Sequence, residues 1–323
     1  MDEGPVVVTG ASGFVGRSLV AHFTHRQRPF RAIVRAHDPS FAPKPNVYAV
    51  GDLDGATDDE LDAVVAGAAA VVHLAGRAHV MRELTDNPQA AYAAANVTAT
   101  ERIARAAVRA GVRRFVLAST VKVNGEASPH GRPFRPDHPP DPRDAYARSK
   151  LDAESVLVAV AAETMASIVL RLPLVYGPGV KGNFARLLDE IARKRLLPFA
   201  AIRNRRSVLY VANLVEAIEA ALDAVRPLSG VHFVADAESV STPGLLTAAG
   251  IALDAPARLI AVPVALLELI GAISGRAATV RRLIATLEVD SSSFTAATGW
   301  RPRHSLADGL AATASWWRMR HSI

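Results

Sequence analysis

No cysteine occurs anywhere in the 323 residues. That absence excludes disulfides, thiolate-bound zinc, iron–sulfur clusters and a thiol nucleophile. Aromatic residues make up only 6% of the chain, so basic and aromatic side chains do not interleave into a surface on which bases stack. Acids are the minority charge, 31 against 37 Lys and Arg. The basic residues are almost all Arg and are scattered along the chain. That pattern argues against nucleic acid and for an anionic small molecule gripped by guanidinium forks. The markedly apolar stretch between Arg258 and Arg276 is broken by Glu268 and contains Pro263. It falls short of the roughly 20 apolar residues of a membrane span. Asp2 and Glu3 stand where a secretory signal would carry basic residues, which points to the cytoplasm. The ten histidines show no metal-ligand spacing, so no metal site is expected.

What is present is a large apolar inventory, half of all residues, in a chain long enough for two packed domains. The first half alternates short β-branched runs with helical patterns. Strands are expected at 6–9, 32–34, 47–50, 70–74, 114–118 and 168–172, and helices at 13–25, 58–66, 88–110 and 145–162. Runs that are apolar throughout, with helices between them, predict an α/β fold with a doubly wound parallel sheet covered on both faces. Residues 125–144 hold six prolines and read either as a surface linker or as a stiff loop roofing a pocket. The later helical patches, at 184–193, 211–225, 262–273 and 306–317, are less regular.

Strand one runs directly into Thr9-Gly10-Ala11-Ser12-Gly13-Phe14-Val15-Gly16. Glycines at this spacing, between a first strand and a first helix, let backbone approach a pyrophosphate whose charge then faces the helix N–H groups. Strand two ends Ile33-Val34-Arg35, with Arg31 nearby and no acid until Asp38. An acid at this place would bond a ribose 2′-hydroxyl, whereas Arg suits a 2′-phosphate, so NADP(H) is expected over NAD(H). Asp52, followed by Leu53, stands after strand three, where its carboxylate either accepts from an adenine amine or forms a turn.

The sharpest signal is Tyr146-Ala147-Arg148-Ser149-Lys150. Four residues apart on a helix, the phenol and the ammonium share a face. A neighbouring ammonium favours the phenolate, which turns a phenol of pKa near 10 into a proton shuttle. Upstream, Ser119 and Thr120 end strand five and offer a hydroxyl beside the phenol.

Together these residues resemble the extended short-chain dehydrogenase/reductases, specifically the nucleotide-sugar epimerase/dehydratase branch. The resemblance covers nearly the whole chain. It takes in the Gly10/Gly13/Gly16 loop, His73-Leu74-Ala75-Gly76, Asn96, Thr120, Tyr146 and Lys150, then Arg171-Leu172-Pro173-Leu174-Val175-Tyr176-Gly177-Pro178-Gly179 and Asn204-Arg205-Arg206-Ser207. It implies a dinucleotide-binding domain over residues 1–173, with the chain returning to it near 207–235, and a smaller substrate-binding domain over 174–323. It implies that Thr120 and Tyr146 bind the reacting oxygen, that Tyr146 is the acid/base, and that Lys150 binds the nicotinamide ribose. Phe14, Val15, Leu74, Ala75, Gly76, Asn96, Leu172 and Pro173 would line the dinucleotide. His79, Asn183 and Arg206 would contact the sugar nucleotide, although Asn183 also reads as a helix N-cap.

Departures from the family pattern narrow the reaction. The family's 4,6-dehydratases place Asp and Glu after the hydroxyl residue, where this chain has Val121 and Lys122, so that elimination is not expected. Chemistry at the sugar C4 remains. Ser119-Thr120-Val121-Lys122-Val123-Asn124-Gly125-Glu126 and His79-Val80-Met81 resemble a bacterial polysaccharide-pathway branch. With Arg35 pointing to NADPH, that resemblance implies, as the leading expectation, reduction of a UDP-4-keto-6-deoxy-hexosamine in polysaccharide precursor synthesis. A UDP-hexose or UDP-N-acetylhexosamine 4-epimerase is the alternative, and an NADP-sensing protein without chemistry stands outside both. The resemblance also implies a homodimer built through 88–110 and the Tyr146 helix, although the alanine-rich face of 88–110 reads equally well as packing against the sheet.

Overall fold

The computed structural model describes residues 4–36, 46–78, 87–129, 131–225 and 228–321. The chain opens with β1 (Val6–Thr9), α1 (Phe14–His25), β2 (Phe30–Val34), β3 (Val47–Ala49), α2 (Asp58–Val65) and β4 (Ala70–His73). Then come α3 (Pro88–Tyr92), a π-helical turn (Ala93–Thr98), α4 (Ala99–Arg109), β5 (Arg114–Thr120), α5 (Ala145–Ala161) and β6 (Ala166–Leu172). The later part holds β7 (Leu174–Tyr176), α6 (Gly182–Ala192), β8 (Leu196–Leu197), β9 (Val208–Tyr210), α7 (Val211–Asp223) and β10 (Gly230–Phe233). It ends with α8 (Thr242–Ala252), β11 (Arg258–Leu259), α9 (Val264–Ile273), α10 (Ala277–Ile284), α11 (Ser292–Thr298) and α12 (Leu306–His321).

Seven strands form one parallel sheet in the order β10-β6-β5-β4-β1-β2-β3. β1 and β4 are buried at every residue, as expected of continuous Val and Ala runs covered on both faces. Leu19 and Phe23 of α1 and Leu214 and Ile218 of α7 pack on one face. Leu61 of α2, Ile103 of α4 and Leu157 of α5 pack on the other. The doubly wound sheet read from the sequence is therefore the one observed. Its strand order reverses between β1 and β4, which opens a crevice at their C-terminal ends.

Two differences from the sequence reading have local causes. The seventh strand escapes detection because Gly230-Val231-His232-Phe233 is too short and too mixed to show as an apolar run. The single helix expected over 88–110 is interrupted by the π turn, which carries a buried Asn96 inward. A separate core, with Tyr176, Phe184, Leu246 and Trp317, lies under α6, α8 and α12. Trp300 meets Phe294 edge-on at 5.6 Å and joins the sheet core.

The proline-rich segment is fastened rather than free. Ser128 N donates to Thr286 O at 2.9 Å, Phe134 N to Glu288 O at 2.8 Å, and Asp141 N to Val123 O at 2.8 Å.

Candidate active site

The crevice is built from glycine outward. Gly10 follows β1 with φ +64°, and a Cβ there would lie 2.6 Å from Ala75 N. A Cβ on Gly16 would lie 2.2 Å from Gly10 O. Only glycine allows the β1–α1 turn, the start of α1 and the exit of β4 to close on one another. Gly13 caps α1 without a side-chain acceptor, whereas Thr57 and Glu60 close α2 with a reciprocal capping box. The first turn of α1 is thus left for an anionic group.

A single run of hydrogen bonds holds the two strand ends together. Ala75 N donates to Thr9 Oγ1 at 3.1 Å, Thr9 Oγ1 to His73 Nδ1 at 2.7 Å, His73 Nε2 to Thr100 Oγ1 at 3.0 Å, and Thr100 Oγ1 to Asn96 O at 2.6 Å. Every donor finds an acceptor only if His73 is neutral with its proton on Nε2. Burial, followed by the nearby charge of Lys150, drives its pKa down to about 3. His73 is a packed strut.

Beyond Ala75, a Cβ on Gly76 would lie 2.7 Å from Asn96 Oδ1 and 3.9 Å from Lys150 Nζ, so the β4 exit, the π turn and α5 converge. Asn96 Oδ1 accepts from Arg77 N at 2.8 Å, and its Nδ2 donates to Ser149 Oγ at 2.8 Å. The Asn96 side chain therefore staples the β4 exit to α5.

Asp144 caps α5 by accepting from Ala147 N at 2.8 Å. Tyr146, Lys150 and Glu154 follow at successive four-residue steps and share a face. Burial raises the Tyr146 phenol to about 12, with Asp144 adding to the rise and a hydrogen bond from Thr120 opposing it. The lowering expected from an adjacent ammonium is not seen here; desolvation, which penalises the phenolate, dominates. Burial also brings Lys150 down to about 8, against the pull of Glu154.

Glu154 is the anchor that the sequence reading missed. It accepts from Arg171 Nη2 at 2.6 Å and Nε at 3.1 Å, and also from the Ser119 hydroxyl. Arg171 Nη1 donates to Asn124 Oδ1 at 2.8 Å, and Asn124 Nδ2 reaches His138 O in the proline-rich segment at 3.1 Å. Glu154, Arg171, Ser119 and Asn124 are all buried. The available signal was the spacing from Lys150 to Glu154, one helical turn along the same face. Also missed is a polar group on the other side of Tyr146. Lys122 Nζ bonds Asp144 at 2.8 Å and stands 5.9 Å from the Tyr146 ring centroid, while Arg282 reaches Asp144 at 3.5 Å and Glu126 at 2.9 Å. The cap at Asp144 was readable as an acid just before a helical pattern.

Other expected residues fall at defined places. Leu172 and Pro173 are buried at the end of β6, with Leu172 in register with Thr120. Phe14 and Val15, in the first turn of α1, are partly buried. Arg35 Nε meets Asp52 Oδ1 at 2.6 Å at the ends of β2 and β3, and both side chains are exposed, 77% and 63%. Leu53 is packed in the core, and Leu74 lies partly buried against the core on the other face. Arg31 does not join Arg35, because its Nη1 donates to Val64 O and Ala66 O at the end of α2, both at 2.7 Å. Asn183 is exposed in the first turn of α6 and is not its N-cap, which is Lys181. Arg206 Nη1 is engaged by the carbonyls of Arg282 and Ala285. His79 lies outside the described residues.

A family model described as the NAD dependent epimerase/dehydratase family matches residues 6–235, which include every strand of the parallel sheet. UDP-glucose 4-epimerase of Vibrio cholerae is 36% identical over 313 residues, 96% of this chain and 94% of that one. dTDP-glucose 4,6-dehydratase of Streptomyces griseus is 30% identical, covering 98% of this chain and 95% of that one. The solved structure of MoeE5 in complex with UDP-glucuronic acid and NAD matches with a TM-score of 0.78 at 25% identity, covering 99% of this chain and 100% of that one.

Proposed function

The chain belongs to the NAD-dependent epimerase/dehydratase family, and from that membership we propose that it is an NAD(P)-dependent 4-epimerase of a UDP-linked hexose or N-acetylhexosamine. The observation that carries this reading is the convergence of Gly76, Asn96 and Lys150 beside the crevice, with Thr120 and Tyr146 on the same strand end and helix. Support for the 4-epimerase over other members comes from the 36% identity with the Vibrio cholerae enzyme across nearly the whole chain. A 4,6-elimination is disfavoured because Val121 is buried and Lys122 is spent on Asp144, where a dehydratase needs an acid/base pair.

The crevice fits a dinucleotide. The space that a Cβ would fill at Gly10 and Gly16 is closed by backbone, and the uncapped start of α1 offers its N–H groups where a pyrophosphate would lie. Gly10, Gly13 and Gly16 would hold that pyrophosphate. Arg35 and Asp52 would take the adenosine end, and Leu74–Gly76, Leu172, Pro173 and Lys150 the nicotinamide end. When bound, the dinucleotide supplies hydride transfer at the sugar C4.

The protein's own part is proton management. Tyr146 takes the proton of the C4 hydroxyl as C4 is oxidised to the ketone, and returns it to the C4 oxygen when the ketone is reduced on its opposite face. Taking that proton requires the phenol to fall from about 12, and the ammonium of Lys150 one turn away supplies the positive charge that favours this. Thr120 hydrogen-bonds the same oxygen and fixes its position. The part of 174–323 around α6 and the Asn204–Ser207 segment, outside α7 and β10, would take the nucleotide part of the substrate, with Asn183 and Arg206 toward its diphosphate.

One observation favours a second reading, the NADPH-dependent 4-keto reductase. Arg35 ends β2 where a 2′-phosphate would sit, and its partner Asp52 holds it only through an exposed ion pair. The experiment that separates the two is direct. Interconversion of UDP-hexoses without added cofactor supports the epimerase. Loss of NADPH absorbance with a UDP-4-keto-6-deoxy sugar, and no interconversion, replaces it with the reductase. Tight NADPH binding with neither activity removes both.

A further inference from the structure

Helix α9 carries six large aliphatic residues in ten positions, yet only Leu267 and Gly271 are buried. Leu266, Leu269, Ile270 and Ile273 are 45%, 56%, 52% and 80% exposed, and Ile260 just before the helix is 43% exposed. These are five of the ten large apolar side chains exposed among the described residues, gathered between positions 260 and 273. Scattered exposed leucines need no explanation, but a contiguous patch does.

The surroundings restrict what covers it. α10 packs against the Gly271 side, where a Cβ would lie 2.7 Å from Val280 Cγ2, while the face carrying Leu266, Leu269, Ile270 and Ile273 is exposed. Between Asp254 and Glu288 the charged residues are Arg258, Glu268, Arg276, Arg281 and Arg282, four bases against one acid. Arg258, Arg276 and Arg281 are exposed. A ten-residue helix is about 15 Å long, too short to cross a bilayer. At about 10 Å wide, its face also offers far less than the roughly 800 Å² that each partner buries in a stable protein complex.

We propose that α9 and its rim of arginines form a docking surface for the anionic face of a lipid bilayer. The aliphatic side chains enter the boundary between headgroups and acyl chains, and the guanidinium groups meet lipid phosphates. Arg282, next to Arg281, bonds Glu126 and the Asp144 cap of α5. The docking hairpin and the Tyr146 helix are therefore joined through one residue. This inference uses none of the residues assigned to the reaction and stands apart from the choice between epimerase and reductase.

Flotation of the full chain with vesicles tests it. Phosphatidylcholine vesicles containing phosphatidylglycerol should carry the protein, phosphatidylcholine alone should not, and high salt should release it. The paired substitutions Leu269→Ser with Ile273→Ser, and Arg276→Glu with Arg281→Glu, should each lower the bound fraction at least about tenfold. Both variants should keep the thermal midpoint and turnover of the parent, since these side chains support neither core. Failure to float with anionic vesicles would overturn the proposal, as would flotation indifferent to both variants. So would a dimer, seen by light scattering, that the aliphatic variant splits while vesicles capture nothing, because the face would then belong to a second copy of this chain.

Discussion

Two acid–arginine pairs stand beside the ends of the same sheet and obey opposite rules. Glu154 and Arg171 are buried, doubly bonded to each other and tied to Ser119 and Asn124. Arg35 and Asp52 meet at 2.6 Å in the open. In the first pair, neither charge can lose its partner without being stranded away from water. In the second, solvent replaces the partner at almost no cost. The buried pair is therefore a fixed support beside Lys150 and Thr120, and the exposed pair is an exchangeable contact. An ion pair's length says little until its burial is known.

The comparison is most exposed to stability measurements. Glu154→Ala should cost about 3–5 kcal/mol in urea denaturation, the usual result of stranding a buried charge, whereas Arg35→Ala should shift stability by no more than about 0.5 kcal/mol. Equal costs would erase the distinction between the two pairs. Beside the buried pair, Tyr146→Phe should lower turnover at least about 10²-fold in steady-state assays while leaving dinucleotide affinity unchanged. Near-parental turnover would remove the phenol from the reaction.

The buried side should also carry the pH dependence. His73 has a folded pKa of about 3 against 6.5 when unfolded, so below 6.5 the unfolded chain takes up a proton that the folded chain refuses. Stability should therefore fall as pH drops from 6.5 toward 3, by up to about 1.4 kcal/mol per pH unit. Lys150, at about 8 folded against 10.5, binds fewer protons folded than unfolded in that interval, so its contribution makes stability rise between pH 8 and 10.5. Urea midpoints across pH would show both slopes, and His73→Gln should flatten the acid one. The mildest effect belongs to the exposed pair. Arg35→Ala should reduce any preference for NADPH over NADH by about tenfold, roughly 1.4 kcal/mol, read from the two Michaelis constants. An unchanged ratio would leave Arg35 a surface residue.

Much of the sheet was legible because its signal is local. Val6–Val8 and Ala70–Val72 are uninterrupted apolar runs, and the glycines after β1 sit where a sharp strand-to-helix turn demands them. The spacing of Tyr146 and Lys150 announced a shared helical face. The anchors were harder to see. Arg171 lies in a strand and Glu154 on a helix, and nothing in their separate neighbourhoods says that β6 lies beside β5 and under α5. Arg31 and Arg35 look alike in sequence, yet the strand points one at the end of α2 and leaves the other facing Asp52. The phenol was misjudged for the same reason, since its pKa depends on how much water the fold removes and spacing does not report that.

The chain's own order of residues thus decided which segments become strands and helices, where the backbone turns sharply, and which phenol and amine lie on one face. Those outcomes follow from interactions between residues a few positions apart. The three-dimensional packing alone decided which charges are shut away from water, which arginine keeps its acid partner in the open, and which apolar helix stays uncovered. Such outcomes depend on desolvation, and desolvation is a property of everything that surrounds a group rather than of its neighbours in the chain.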